Sequence, residues 1–295
     1  MRIANHDGRS LLVIDEQHGI DIAEASNGRF GPAPETVLQN WDEFALWAKA
    51  LDTAALPVLP IERSRLGSPS PAPRQVIAVG LNYSAHAAES GFDVPDQLPP
   101  TFTKFVSSIT GPDTAVQLPP GGHTDWEVEL VVIIGRAGHR IAEADAWDHI
   151  AGLSVGQDLS ERISQLQGPA PQFSLGKSFP GFAPIGPWLV TPDDVANRDD
   201  LALGCTIDGE IVQEGRTRDL VFPVAALIAR LSAPLTLLPG DVIFTGTPAG
   251  VGVGRTPARF LQPGETLHSW IEGIGELNQR FLAPADPAVA GPNLS

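Results

Sequence analysis

The chain has 295 residues, 42% of them hydrophobic, which is enough for one large domain or a large and a small one and too apolar for wholesale disorder. A formal net charge of −16 with no visible basic patch argues against nucleic acid or an anionic membrane as partner, but not against a small anionic substrate. The single cysteine, Cys205, excludes an intrachain disulfide and cysteine-rich zinc sites.

The opening MRIANHDGRSLLVID has no basic segment followed by an apolar one, and no run approaches the roughly 18 apolar residues of a membrane span, so a cytoplasmic location is expected. SLLVID and GIDIAEA read as short strands. In PETVLQNWDEFALWAKAL, residues Val37, Leu38, Trp41, Phe44, Ala45 and Ala48 recur at helical spacing, and Trp41 and Trp47 are expected to pack. Residues 57–74 hold five prolines and mark a boundary. The expected division is a small N-terminal α/β domain with its linker over 1–72, a larger domain over 73–282, and a loose tail over 283–295.

From Gln75 the texture changes. VIAVGL, VELVVIIG and DVIFTGT read as buried strands, and LALGCTIDGEIVQEG as a hairpin turning at Asp208-Gly209. EADAWDHIAGL and PVAALIARLS read as helices. With 30 glycines and 28 prolines falling largely between short strands, the pattern predicts a β-rich α+β domain of coiled, irregular sheets.

Within DWEVELVVIIG, strand periodicity places Glu127 and Glu129 side by side and turns Trp126, Val128 and Leu130 the other way. Adjacent carboxylates repel unless a cation, a proton or water intervenes. A strand end in solvent satisfies that condition, and so does a metal. Asp158, in AGLSVGQDLSER, reads either as the cap of a following helix or as a third oxygen donor. Three carboxylates without a His or Cys pattern suit Mg²⁺ or Mn²⁺; Ca²⁺ is compatible, although no EF-hand loop is present.

The stretches VGLNYSAHAAES, FTKFVSSITGP, DWEVELVVIIG, AGLSVGQDLSER, FSLGKSFPGFAPIGPWLV and LLPGDVIFTGTPAGVG occur in the order found in the fumarylacetoacetate hydrolase family, which the chain resembles over about residues 75–275. The resemblance implies a β-rich C-terminal catalytic domain of mixed sheets and a Mg²⁺ or Mn²⁺ site at Glu127, Glu129 and Asp158. It also implies a homodimer and a segment around 83–100 that orders over the substrate. His86 and Glu89, three apart on a helical turn, read as a surface pair or as a base and its orienting carboxylate; the resemblance favours the second. By the same resemblance Lys177 stabilises an enolate. Arg162 and Gln165 lie near the substrate, and the Thr247 hydroxyl in TGTPAGVGVG holds a substrate carboxylate; that glycine-rich stretch lacks the Gly-Lys-Ser/Thr ending of a phosphate loop. Lys104 and Tyr83, the only tyrosine, are further candidate substrate contacts. SERIS departs from a common family form, in which an Ala and an Asp flank the arginine, so the substrate is not transferable from a typical member.

The activity implied is hydrolysis of a C–C bond in a 2,4-dioxo acid, such as an acylpyruvate, a fumarylacetoacetate-like compound or a diketo-deoxy sugar acid, through a metal-bound enolate. Oxaloacetate decarboxylation and 2-oxo acid hydration or isomerisation use the same enolate. A non-catalytic metal-binding domain is the reading furthest from the motifs.

Overall fold

The computed structural model describes residues 1–89, 91 and 93–285 of the chain, so the predicted tail lies outside the described residues from 286 onward. Strand Val128–Ile134 is the axis of the fold. All seven of its residues are buried, and they divide by the period of two. Leu130, Val132 and Ile134 join Trp126 and Val128 in one apolar core, while Val131 and Ile133 enter a second core on the other face. This strand pairs antiparallel with Ile150–Gln157 on one side and Val242–Phe244 on the other.

From there a twelve-stranded sheet extends in both directions. On one side Val76–Val79 runs parallel to Val242–Phe244 and is followed by Thr101–Thr103. On the other, Ala183–Val190 leads to Arg2–His6, Arg9–Asp15, His18–Asp21 and Leu59–Pro60. The proline-rich stretch adds Leu59–Pro60 and Leu66–Gly67 to this sheet. A five-stranded sheet runs Glu210–Arg216, Ala202–Ile207, Thr266–Ile271, Gly275–Leu282, Asp113–Gln117. It packs Leu203, Cys205, Leu267, Leu277 and Phe281 against the first core. Parallel and antiparallel pairs coexist in both sheets, as expected of a coiled, mixed β-rich α+β fold.

Several local readings need correction. The helix expected from residue 34 breaks at Asn40 into Pro34–Gln39 and Trp41–Ala50; Asn40 sits at φ −114, ψ 33, outside helical geometry. Trp41, Phe44 and Phe30 still fill the second core, and Trp47 packs on Phe30 and Phe44. GIDIAEA is a strand only to Asp21, because the Asp21 carboxylate accepts the Glu24 N–H and starts the short helix Ile22–Ala25. EADAWDHIAGL is a 3₁₀ run over Glu143–His149, cut short where Ile150 enters the sheet. The hairpin turn at Asp208-Gly209 is as read: both residues have positive φ, the requirement of a type I′ turn.

Candidate metal centre and active site

Strand register brings the three carboxylates together. Val128 pairs with Gln157 and Glu129 with Gly156. The same register continues outward, where the Asp158 N–H donates to the Glu127 carbonyl at 2.9 Å and Asp125 pairs with Ser160. Glu127, Glu129 and Asp158 therefore leave the same end of two neighbouring strands, with one oxygen from each within 4.8 Å of the others, and all three buried. Asp158 is free for this because Glu161, not Asp158, caps the next helix, Arg162–Gln165, accepting the N–H groups of Ile163 and Ser164.

Val128 keeps its strand pairing with Gln157, and buried glutamine side chains take up the N–H groups of Glu127 and Val128. Gln157 accepts the Glu127 N–H at 2.9 Å, and Gln213 accepts the Val128 N–H at 3.0 Å. Gln213 also donates to Thr247 Oγ1 and the Pro248 carbonyl, and Thr247 Oγ1 donates to the Val128 carbonyl. The Thr247 hydroxyl is thereby engaged in holding the strand, and it does not line the cavity described below. This differs from the substrate contact expected of it.

Three buried cations surround the triad. Lys177 Nζ donates to Glu127 at 2.6 Å and to Asp158 at 2.7 Å. Arg162 donates to Asp125, to Glu127 at 2.7 Å and to Gln165 at 2.9 Å. Lys104 Nζ reaches Asp158 and the Lys177 carbonyl. Lys104 is wholly buried against Asp158 and does not line the cavity described below, which differs from the substrate contact expected of it. Burial depresses the Lys104 ammonium, opposed by Asp158. Burial acts the same way on Lys177, but Asp158 and Glu127 outweigh it and raise that group.

The carboxylates divide sharply. Burial pushes Glu127 up, but Lys177, Arg162 and His86 hold it at about 2. Glu129 makes no ion pair among the described residues. Its partner is the Gly246 N–H at 2.7 Å, and burial, Asp158 and Glu127 push its carboxyl well above the usual range. Four carboxylates, counting Asp125, thus face three cations. A divalent cation would turn the one negative charge left over into one positive. An all-oxygen donor set with a surplus buried carboxylate fits Mg²⁺ or Mn²⁺.

A cavity of about 390 Å³ reaches the triad at Glu127, and its wall also carries Arg162, Gln165, Lys177, His86 and Glu89 together with apolar residues. A larger, shallower depression near Arg255 and Arg259 contains none of the triad. His86 and Glu89 lie on helix Ser84–Glu89, with His86 Nδ1 2.8 Å from Glu89 Oε1. An ionised Glu89 accepts only, so Nδ1 carries a proton; in the neutral imidazole this leaves the lone pair on Nε2. Glu89 Oε2 accepts the Gly250 N–H at 2.9 Å, which ties the helix to the glycine-rich loop. Tyr83 is buried away from the cavity, its hydroxyl without a partner among the described residues; burial and Glu129 raise its phenol.

One residue unassigned from sequence organises the rest. Asp125, fully buried, accepts the N–H groups of Trp126, Gly252 and Val253 and the Arg162 guanidinium. Gly252 approaches so closely that a Cβ there would collide with Asp125 and the Arg259 carbonyl. The only signal in sequence was the position of Asp125 two residues before Glu127, which extends the alternation to D-x-E-x-E.

A mixed-sheet scaffold presenting a buried Glu-Glu-Asp cluster beside a histidine–carboxylate pair defines a class of enzyme built around a small-molecule cleft. The sequence profile described as fumarylacetoacetate (FAA) hydrolase C-terminal matches residues 75–282, and the chain belongs to the fumarylacetoacetate hydrolase family. It is 58% identical to an HpcE-like protein of Mycobacterium smegmatis, with a TM-score of 0.90 and coverage of 97% of this chain and 100% of that one. It is 28% identical to maleylpyruvate hydrolase from Sphingobium sp. SYK-6, solved with manganese(II) and pyruvate, with a TM-score of 0.79 and coverage of 97% and 100%. Among curated sequences it is 46% identical over 230 residues to the mitochondrial oxaloacetate tautomerase FAHD2A of Homo sapiens, covering 78% of this chain and 73% of that protein. Among the described residues, no helix is long and apolar enough to cross a membrane.

Proposed function

We propose that this enzyme hydrolyses a C–C bond in a 2,4-dioxo acid, and that Glu127, Glu129 and Asp158 hold a Mg²⁺ or Mn²⁺ ion for the purpose. The observation that carries the reading is that the His86–Glu89 pair lines the same cavity as Glu127 and Lys177. The bound ion would supply Lewis-acid polarisation of the substrate's oxygens.

The chain's own groups do the rest. With Nδ1–H held by Glu89, His86 Nε2 takes a proton from water, and the hydroxide adds to C4. The C3–C4 bond then breaks and its electron pair passes to C3, giving the enolate of pyruvate and the acid formerly attached at C4. The proton taken by His86 returns to C3, and the new acid ionises to solvent. The Lys177 ammonium, already paired with two carboxylates, supplies positive charge beside the developing enolate. Arg162 and Gln165, on the cavity wall, orient the anionic end.

The test is release of pyruvate from acylpyruvates, diketo-deoxy sugar acids and oxaloacetate in the presence of Mn²⁺. His86→Ala should lower hydrolysis by about 10²–10⁴-fold, the usual worth of a general base. Hydrolysis at the parent rate by that variant would remove the base from the reading. A second reading, keto–enol tautomerisation of oxaloacetate, is supported by the 46% identity to FAHD2A; it moves a proton without consuming water and releases no pyruvate. The homodimer belongs to the same proposal and is tested by the mass in light scattering at micromolar concentration.

A further inference from the structure

The cavity has two chemically distinct ends. The charged groups lie deep: Lys177 is 2% exposed and Glu127 5%. The apolar groups form the mouth, where Leu166 is 58% and Val253 41% exposed. Leu81, Pro100, Phe102 and Phe173 complete that mouth. Phe102 and Phe173 meet edge to face at 5.6 Å, and the Lys177 ammonium stands 5.2 Å from the Phe102 ring. The apolar wall therefore begins immediately beside the ammonium on the floor.

No lysine or arginine lines the mouth among the described residues. Arg162 is committed below to Asp125, Glu127 and Gln165. Arg255, next after Gly254, donates to the carbonyls of Val212 and Gly250 and is not part of the lining. Leu81 adds an independent sign. It holds φ 58, a conformation that side chains avoid and glycine adopts freely. An apolar side chain thus occupies a position of the wall where backbone conformation alone would favour glycine.

Within the reading proposed above, we infer that the group on C4 of the substrate is uncharged and apolar, an aliphatic or aryl acyl chain, and not a chain ending in a second carboxylate. The deep end, fixed by charge, takes the 2-oxo acid. About 390 Å³ is far more than a three-carbon acid fills and falls in the usual range of small-molecule clefts, roughly 300–1,000 Å³. A carboxylate carried into the mouth would lose water without gaining a cation.

Binding tests this without relying on turnover. Pyruvate, 2-oxohexanoate, 2-oxooctanoate and 2-oxohexanedioate are titrated into the Mn²⁺-loaded protein by calorimetry. Affinity should rise along the aliphatic series by about fourfold per buried methylene, and 2-oxohexanedioate should bind at least about tenfold more weakly than 2-oxohexanoate. Leu166→Arg and Val253→Arg, at exposed rim positions outside the catalytic groups, should each reverse that last preference. The kcat/KM values of the matching acylpyruvates should follow the same order. Equal or tighter binding of the dioate by the parent protein overturns the inference and leaves the hydrolase reading standing. The expected binding order with no acylpyruvate cleaved overturns the hydrolase reading and leaves the pocket assignment standing. Failure of every 2-oxo acid to bind overturns both.

Discussion

Two sets of ion pairs, one at the outer end of strand Val128–Ile134 and one on the N-terminal surface, use the same chemistry to different ends. Arg29 and Glu43 meet at 3.2 Å with both side chains mostly in water. Such a pair is screened and contributes little. Lys177, Glu127 and Asp158 meet at similar distances with water excluded. There each charge depends on its neighbours, and the loss of one leaves another stranded. The surface pair has nothing at stake in its removal, whereas in the buried set Glu129 makes no ion pair among the described residues and accepts only the Gly246 N–H.

The difference is broken most severely at Glu129. Glu129→Ala should abolish measurable Mn²⁺ binding in calorimetry while far-UV circular dichroism stays that of the parent; unchanged affinity would falsify the triad. In the parent, the raised Glu129 carboxyl gives the sign of a pH effect. The folded metal-free protein holds this proton above the pH at which the unfolded chain releases it. Stability from this group is therefore lost as pH rises from the ordinary carboxylate range through the folded value. Protons compete for the same oxygen, so Mn²⁺ affinity should increase over that window and flatten above it. An affinity independent of pH there contradicts the assignment.

Lys177→Ala comes next. Removing one partner of a buried set costs roughly 3–5 kcal/mol. Urea unfolding should show that loss without metal, and added Mn²⁺ should recover part of it by neutralising Glu127 and Asp158. A loss of under about 1 kcal/mol would place these charges in an environment as forgiving as the surface. Gln213→Leu should cost less, about 1–3 kcal/mol, by leaving the Val128 N–H unpaired in the interior. It should also weaken Mn²⁺ binding, because the backbone between the two glutamates loses its anchor. Arg29→Ala completes the series with no resolvable change in melting midpoint.

What could be read in advance follows from the range of the interactions. The spacing of Glu127 and Glu129 is a local consequence of strand periodicity, and the two-faced burial of Leu130–Ile134 is visible in its composition. The arrival of Asp158 depends on pairing register, which is not local; the family pattern supplied it, and the register of Val128 with Gln157 supplies its physical cause. Gln157 and Gln213 escaped notice because a neutral side chain in a strand carries no mark of its task, and their partners lie 30 and 85 positions away. Lys104 misled for the opposite reason. A lysine usually signals surface, and nothing nearby in the chain shows that Asp158 and the Lys177 carbonyl enclose it. Thr247 stands in the glycine-rich stretch expected to meet the substrate, but its hydroxyl serves the strand behind it.

The two oxygens of Glu89 belong to different tasks, one orienting the imidazole of His86 and the other anchoring the loop at Gly250. A single carboxylate thus acts as an interlock. Displacing helix Ser84–Glu89 would break both contacts together, so His86 would lose its orienting carboxylate in the same movement that frees the loop. In the proposed hydrolysis the latch on the loop and the orienting contact of the base would then be one side chain.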